Sequence, residues 1–360
     1  MATITSYTTK TGTRYRVRYR KPDGTQTDKR GFKTKRAAQD WAAELTTSVR
    51  QGTWIDPTAG RVTVESLYPL WIQVKSHLKP SYVATLESTW TQHVKPMWAT
   101  RQVATIRRIE VQAWAAEMSA DRSASVVHRA IDILAGILDI AVQERFVHEN
   151  VARGFKRPRK TSARHTYLTW EQLALLAKHA GEYGPLVWFL GTTGLRWGEA
   201  TALRGKHVDY RRKRIHVEVS VTPVKGSYVE GTPKSHETRS VPISPAVLSM
   251  LPAVMPDVLV WRGQAGSYLS RPKAGKGWWW HARNAARAED RTFPAGFRIH
   301  DLRHTAASLA VSSGANVKAV QRMLGHASAA MTLDTYADLF DGDLDDVAAR
   351  LDQHVRVLTG

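Results

Sequence analysis

Four short stretches in the second half of the chain carry side chains able to do polar chemistry. In Gly191-Thr-Thr-Gly-Leu-Arg196-Trp-Gly-Glu199, Arg196 stands just past a glycine turn at a helix start, and Glu199 follows one turn later. In Gly231-Thr-Pro-Lys234, the lysine precedes a strand pattern at the edge of a hairpin. His300-Asp301-Leu302-Arg303-His304 puts His300 and Arg303 one helical turn apart on a shared face. The same spacing recurs at His236-x-x-Arg239, so spacing alone decides nothing. Last, Leu324-Gly325-His326 reads as a helix stop and a corner, with Tyr336 ten residues further on. Singly, each is an ordinary cap, surface charge or core aromatic. Metal binding is the rival explanation for clustered histidines. The set has arginines where ligands would be required, no compact acidic group, and Cys 0 in the chain, so a metal site is rejected.

Together the order Arg…Lys…His-x-x-Arg…Gly-His…Tyr resembles the tyrosine recombinase, or phage integrase, family over Thr169 to Asp346. The resemblance implies a site-specific DNA recombinase that breaks and reseals a phosphodiester without an energy source. Tyr336 would be the nucleophile, storing the bond energy as a 3′-phosphotyrosyl ester. Arg196 and Arg303, permanently charged and forked, would hold the non-bridging oxygens. Lys234 would protonate the leaving 5′-oxygen; His300 would assist proton transfer from the phenol and bind phosphate; His326 would hydrogen-bond a phosphoryl oxygen. Glu199 would orient Arg196. Some family members carry Trp or Lys where this chain has His326. The resemblance implies no cofactor and no metal, double-stranded DNA attachment sites of core and arm type, and a homotetramer on DNA. It also implies a host DNA-bending factor and an excisionase as accessory partners, no membrane, and work at the nucleoid in a bacterial host cytoplasm. Three alternatives share the motif: a Xer-type resolvase, a type IB topoisomerase, and a catalytically inactive DNA-binding relative. The extra basic N-terminal segment argues against the first, and the intact residue set against the last.

These residues need a scaffold, and the rest of the sequence supplies one. With 52 Lys+Arg against 32 Asp+Glu, the net charge of +20 calls for a polyanionic partner. Hydrophobic residues at 42% exclude a disordered chain, and no run of about 18 apolar residues is available to span a membrane. The N-terminus lacks a signal-peptide hydrophobic core. A length of 360 residues predicts two or three domains. The expected fold is multidomain and mainly α with small β elements.

Residues 1–58 read as a small sheet on one helix, an arm-type DNA-binding domain. Tyr15, Val17 and Tyr19 alternate with Arg14, Arg16, Arg18 and Arg20, so the apolar face packs inward and the arginines are offered to phosphate. Thr25 to Phe32 is a returning strand and Thr34 caps a helix bearing Ala37, Ala38, Trp41 and Leu45. Residues 62–154 read as four amphipathic helices, a core-binding (SAM-like) bundle: one capped by Thr63, one by Ser81, one over Glu110 to Met118, and the longest opened by Ser123. Residues 155–166, with Lys156, Arg157, Arg159 and Lys160, form a basic linker expected on the duplex backbone. Residues 167–346 are a helix-rich α+β catalytic domain with a capping box at Thr169 and Gln172 and two β patterns, Arg214 to Val221 and Thr238 to Ile243. The Trp278-Trp279-Trp280 run reads as core and rim packing, the stretch from Asp338 onward turns acidic, with six Asp against two Arg, and residues 347–360 read as a C-terminal tail.

Overall fold

The computed structural model describes residues 2–21, 24–56, 58–159, 166–233, 238–336, and 352, 355 and 356. The chain divides into two units, Met1–Thr161 and Ser162–Gly360.

The first unit opens with an antiparallel sheet, β1 (Thr3–Thr9), β2 (Gly12–Arg20) and β3 (Gln26–Phe32), in the order β1-β2-β3. Helix α1 (Lys35–Arg50) covers one face, its first turn capped by the Thr34 hydroxyl, which accepts from the Ala37 amide at 3.1 Å. The alternation along β2 plays out as its residue types demand. Val17 and Tyr19 are buried beneath Ala38 and Leu45, and the Tyr19 ring meets Trp41 edge-on at 5.3 Å. Arg18 and Arg20 are exposed, whereas Arg14, Tyr15 and Arg16 are half-buried, next to an irregularity in the β2–β3 register between Tyr15 and Val17. Arg16 is also occupied: its Nε donates to Thr5 Oγ1 at 2.8 Å, and Asp28 lies 3.9 Å away.

A helical bundle follows: α2 (Val64–Gln73), α3 (Pro80–Thr89), α4 (Lys95–Trp98), α5 (Arg108–Ser119) and α6 (Ala124–Gln143). The Thr63 cap forms, accepting from the Ser66 amide at 3.4 Å. Ser81 is not a cap. Pro80 already occupies the first helical position and Lys79 precedes it, because a proline lacking an N–H suits the first turn. Ser123 holds the cap position of α6 without a side-chain bond. The second expected helix runs on to Trp98 through a π turn, Trp90–Val94. Leu86, Trp90, Val94 and Trp98 are all buried, and their four-residue spacing outruns the 3.6 residues of an α-helical turn. The wide turn takes up the drift, beside Pro96, which has no N–H to donate.

The second unit builds its core on α7 (Trp170–His179), α8 (Gly184–Thr193), α11 (Trp278–Glu289) and α12 (Asp301–Ser312). The Thr169–Gln172 capping box is formed on both sides. Short helices α9 (Trp197–Thr201) and α10 (Pro245–Ser249), then α13 (Val317–Leu324) and α14 (Ala329–Tyr336), complete it. Strands β4 (Val208–Asp209), β5 (Arg214–Val217) and β8 (Arg239–Pro242) form one antiparallel sheet in which Ile215 faces Val241 and Val217 faces Arg239. The expected single strand Arg214 to Val221 is instead broken after Val217. Its end joins a separate hairpin, β6 (Ser220–Val224) with β7 (Ser227–Gly231). That hairpin turns on Lys225 and Gly226, both at positive φ, a two-residue loop matched to strand twist. Trp279 is buried against Phe297 and Trp278 stacks on Tyr183 at 4.4 Å, so the tryptophan run is packing. Among the described residues no helix is long and apolar enough to cross a membrane.

Candidate active site

Two glycines prepare the floor of the site. Gly194 ends α8 and Gly325 ends α13, each in the left-handed region (φ +67° and +66°) that side chains avoid. Helices that stop this way leave carbonyls unpaired and carry partial negative charge there. Arg303, on α12 and 4% exposed, bridges the two ends: Nη1 donates to Gly194 O and Nη2 to Leu324 O, both at 2.6 Å. Burial first, then the neighbouring charge of Arg196, pull its guanidinium down to about 9, so it stays cationic at neutral pH. Arg303 faces inward with Ala306 and Ala307, whereas His300, at the cap position of α12, is exposed. The two do not share a face: the ring beside His300 is that of His304, edge-on at 5.4 Å.

Glu199 is the hub. Its side chain is wholly buried, and it accepts from the Arg196 amide (2.9 Å) and Arg196 Nη1 (2.9 Å), as the sequence led us to expect. It also accepts from Arg239, whose Nη1 and Nη2 reach its two oxygens at 3.0 and 2.6 Å. Burial raises a carboxyl's pKa, but the bonds and charge of Arg239, then the charge of Arg196, outweigh that and hold Glu199 at about 2. Arg239 was passed over as half of a chance spacing. Its usable signal was strand alternation, which points it inward with buried Val241 and so requires an acid.

Tyr336, the last described residue of α14, is 1% exposed. Its hydroxyl lies 2.8 Å from His304 Nδ1, not on His300 as expected. Burial, chiefly, pushes the phenol up to about 12; Tyr167, 6.3 Å away ring to ring, pushes the same way, while Arg303 and Arg196 pull against it. His326 lies parallel to the Tyr336 ring at 6.2 Å, and its Nδ1 is 3.0 Å from the hydroxyl of Thr332. Burial, then Arg303, Arg196 and Arg239, push its imidazolium down to about 4, so the ring is neutral at physiological pH.

The structure thus gathers Arg196, Glu199, Arg303, His326 and Tyr336, sets His300 at the rim, and adds Arg239, His304 and Thr332. Lys234 and Lys160 lie outside the described residues. Of the basic segment, Lys156 and Arg159 are exposed, but Arg157 is tied to Asp132 at 2.6 Å and the carbonyl of Pro158 meets His128 at 2.7 Å. Residues 155–159 therefore lie against the bundle of the first unit. Of the acidic tail, the described part holds one ion pair, Arg356 with Asp352 at 2.7 Å.

Known proteins carry the same pattern. Residues 168–342 match the phage integrase family, and residues 5–49 an arm DNA-binding domain. The integrase of Mycobacterium phage FRAT1 is 26% identical over 318 residues, 82% of this chain and 92% of its own. The ICEBs1 integrase of Bacillus subtilis (strain 168) is 24% identical over 306 residues, 81% of this chain and 82% of its own. In fold, the chain is similar to the Tn1549 transposon integrase solved with circular-intermediate DNA (TM-score 0.67, 19% identity, 79% of this chain and 99% of that one). It is likewise similar to the lambda integrase tetramer bound to a Holliday junction (TM-score 0.59, 17% identity, 90% and 95%). Residues 168–342 are thus a phage integrase family domain, preceded by an arm DNA-binding domain, in a chain similar over most of its length to integrases of phages and integrative elements.

Proposed function

We propose that the protein integrates, and in reverse excises, a phage or mobile element by cutting DNA at attachment sites through a 3′-phosphotyrosyl bond. One observation carries this reading. A buried phenol lies within the field of the Arg303 and Arg196 guanidiniums, and among the described residues the one carboxylate bonded there, Glu199, is shared between Arg196 and Arg239. Such a site lacks an anion, and a phosphodiester supplies one.

The proposed steps are these. The Tyr336 oxygen attacks phosphorus as the bond to the 5′-oxygen breaks. The phenol, protonated at neutral pH, hands its proton to His304, the imidazole nitrogen it already touches. Lys234 protonates the departing 5′-oxygen, giving a free 5′-hydroxyl and a phosphotyrosine. Arg196 and Arg303 bear the charge that builds on the non-bridging oxygens. His326, its Nδ1 held 3.0 Å from the Thr332 hydroxyl, is proposed to donate from Nε2 to a phosphoryl oxygen in the tautomer where Nδ1 accepts from Thr332. Rejoining is the reverse, with the 5′-hydroxyl of another strand attacking. Four protomers acting in a synapse would exchange strands in the bacterial cytoplasm, with a DNA-bending host factor and an excisionase setting direction. The arm-domain match favours this reading over a monomeric type IB topoisomerase.

The decisive experiment incubates the protein with a nicked core-site duplex that traps the cleaved state. A covalent adduct mapping to Tyr336 is expected in excess EDTA as without it, because guanidiniums do the work of divalent ions. An adduct at another residue, or one lost on chelation, overturns the reading.

The N-terminal sheet is proposed to hold arm sites through its exposed arginines. Deleting residues 1–58 should leave core-site cleavage nearly intact while integration between full attachment sites collapses. Arg18→Ala with Arg20→Ala should lower the salt slope of arm-site binding by about 2, near 0.9 per lost phosphate contact. Equal loss of cleavage and integration on deletion would make the segment structural only.

A further inference from the structure

Arg239 is buried more deeply than Arg196, one of the two arginines expected to meet the phosphate oxygens. Its side chain is 8% exposed, against 24% for Arg196. Its fork is fully directed at the protein: Nη1 and Nη2 to Glu199, and Nε to Met323 O at 3.1 Å. It also lies across Gly325, where a Cβ would fall 2.9 Å from Arg239 Cδ and 3.1 Å from Nε. Any side chain at 325 would therefore displace it, apart from the strain of the left-handed backbone there. One side chain thus ties strand β8 to the hub carboxylate on α9 and to the corner that carries His326.

The charges say what this tie is for. Among the described residues Glu199 is the only carboxylate bonded to Arg196 or Arg239, and these two are its claimants. A bidentate fork is the stronger partner, so Arg239 takes most of the carboxylate's negative charge. Arg196 keeps one guanidinium bond to Glu199; the rest of its fork makes no hydrogen bond among the described residues. It is aimed by Glu199 without being neutralised by it.

We infer that Arg239 is a positioning residue for strand cleavage: by occupying Glu199 it keeps Arg196 both oriented and electrostatically available to the scissile phosphate, while never touching the phosphate itself. The inference rests on the recombinase reading above. Without Arg239, Glu199 and Arg196 collapse into a one-to-one ion pair, and the guanidinium that should meet the phosphate is quenched.

The test uses the full-length protein and two nicked core-site duplexes, one with the natural scissile phosphate and one with a methylphosphonate there. The methylphosphonate carries no charge for Arg196 to balance. Arg239→Met should form adduct about 10²-fold more slowly than wild type on the phosphate, the scale of losing one preorganised donor, and within about threefold of wild type on the methylphosphonate. Adding Glu199→Gln should recover about tenfold on the phosphate, since removing the carboxylate frees Arg196, and such reversal is the mark of coupled neighbours. Equal defects on both substrates, or a double variant no faster than Arg239→Met, overturn the inference and make Arg239 a structural strap. Should Arg239→Met melt too low to assay, Arg239→Lys, which keeps the charge and loses the fork, is judged by the same comparison of substrates. Wild-type adduct at Tyr336 on the phosphate is the check on the recombinase reading. Its absence brings down both, whereas its presence with equal defects brings down this inference alone.

Discussion

Tyr336→Phe should form no covalent adduct on a nicked core-site duplex, yet fold and bind DNA as wild type does. The substitution removes a single oxygen. The ring remains buried and parallel to His326, and no cavity opens, so the packing contribution is unchanged. What is lost is the hydrogen bond to His304, a net cost of about 0.5–1.5 kcal/mol. In a domain of this size a loss of 1 kcal/mol lowers the melting temperature by about 2–4 °C, which calorimetry on the two proteins can resolve. DNA affinity depends on arginines and lysines elsewhere and should be unaltered. Covalent chemistry should have no substitute, because the other hydroxyl beside His326, that of Thr332, is an aliphatic alcohol already bonded to that ring and not a phenol. An adduct at wild-type yield, or one that maps to Tyr167, whose ring lies 6.3 Å from that of Tyr336, would remove Tyr336 from its role.

Tyr336, Arg196 and Arg303, proposed as nucleophile and phosphate-binding pair, stood out in the chain because that chemistry restricts residue type to a phenol and fixed guanidiniums. The residues that support them were harder to see. His304 stands beside Arg303 in sequence, but one residue along a helix is a turn of about 100°, and the partner of His300 on its face is i+4, not i+3 alone. Counting faces on α12 separates an inward Arg303, with Ala306 and Ala307, from the exposed His300 and the half-buried His304 beside it. Arg239 was discounted because His-x-x-Arg is a weak pattern, although its strand position was the stronger clue. In both cases the local geometry was available and the motif drew attention from it.

The fold shows the same division. The inward stripe of β2, the Thr34 and Thr63 caps, the Thr169 capping box and the glycine stop at 325 are local decisions, made by residues within four positions of one another. The π turn in the bundle and the break after Val217 are not. The first answers a packing register across helices, set by Leu86, Trp90, Val94 and Trp98 together. The second separates a sheet strand from a hairpin that contains Pro223, a residue that weakens any strand pattern. Arg157 and Arg16 were both read as phosphate contacts from charge alone; each has an acidic neighbour, Asp132 and Asp28, that only the folded chain brings near.

Lys234→Ala should cut slowly on ordinary DNA and recover when sulfur replaces the 5′-bridging oxygen. The reasoning starts from the leaving group. An alkoxide departing without a proton is a strong base and a poor leaving group, so a positioned acid contributes about 10²–10⁴ to the rate. A thiolate leaves without protonation, so the same variant should fall within about tenfold of wild type on the sulfur substrate. The described residues on either side of Lys234 are firmly held. Glu230 at the end of β7 is bound by Arg204 and Tyr268, and Arg239 at the start of β8 is locked on Glu199. Arg303→Lys provides the contrast. Arg303 answers charge on the non-bridging oxygens, which sulfur at the bridging position does not relieve, so its defect should be nearly the same on both substrates. Adduct yields over time for the two variants on the two duplexes decide the assignment: if Lys234→Ala is equally slow on both, the acid is another group, and if Arg303→Lys is rescued by sulfur, its charge serves the leaving oxygen instead.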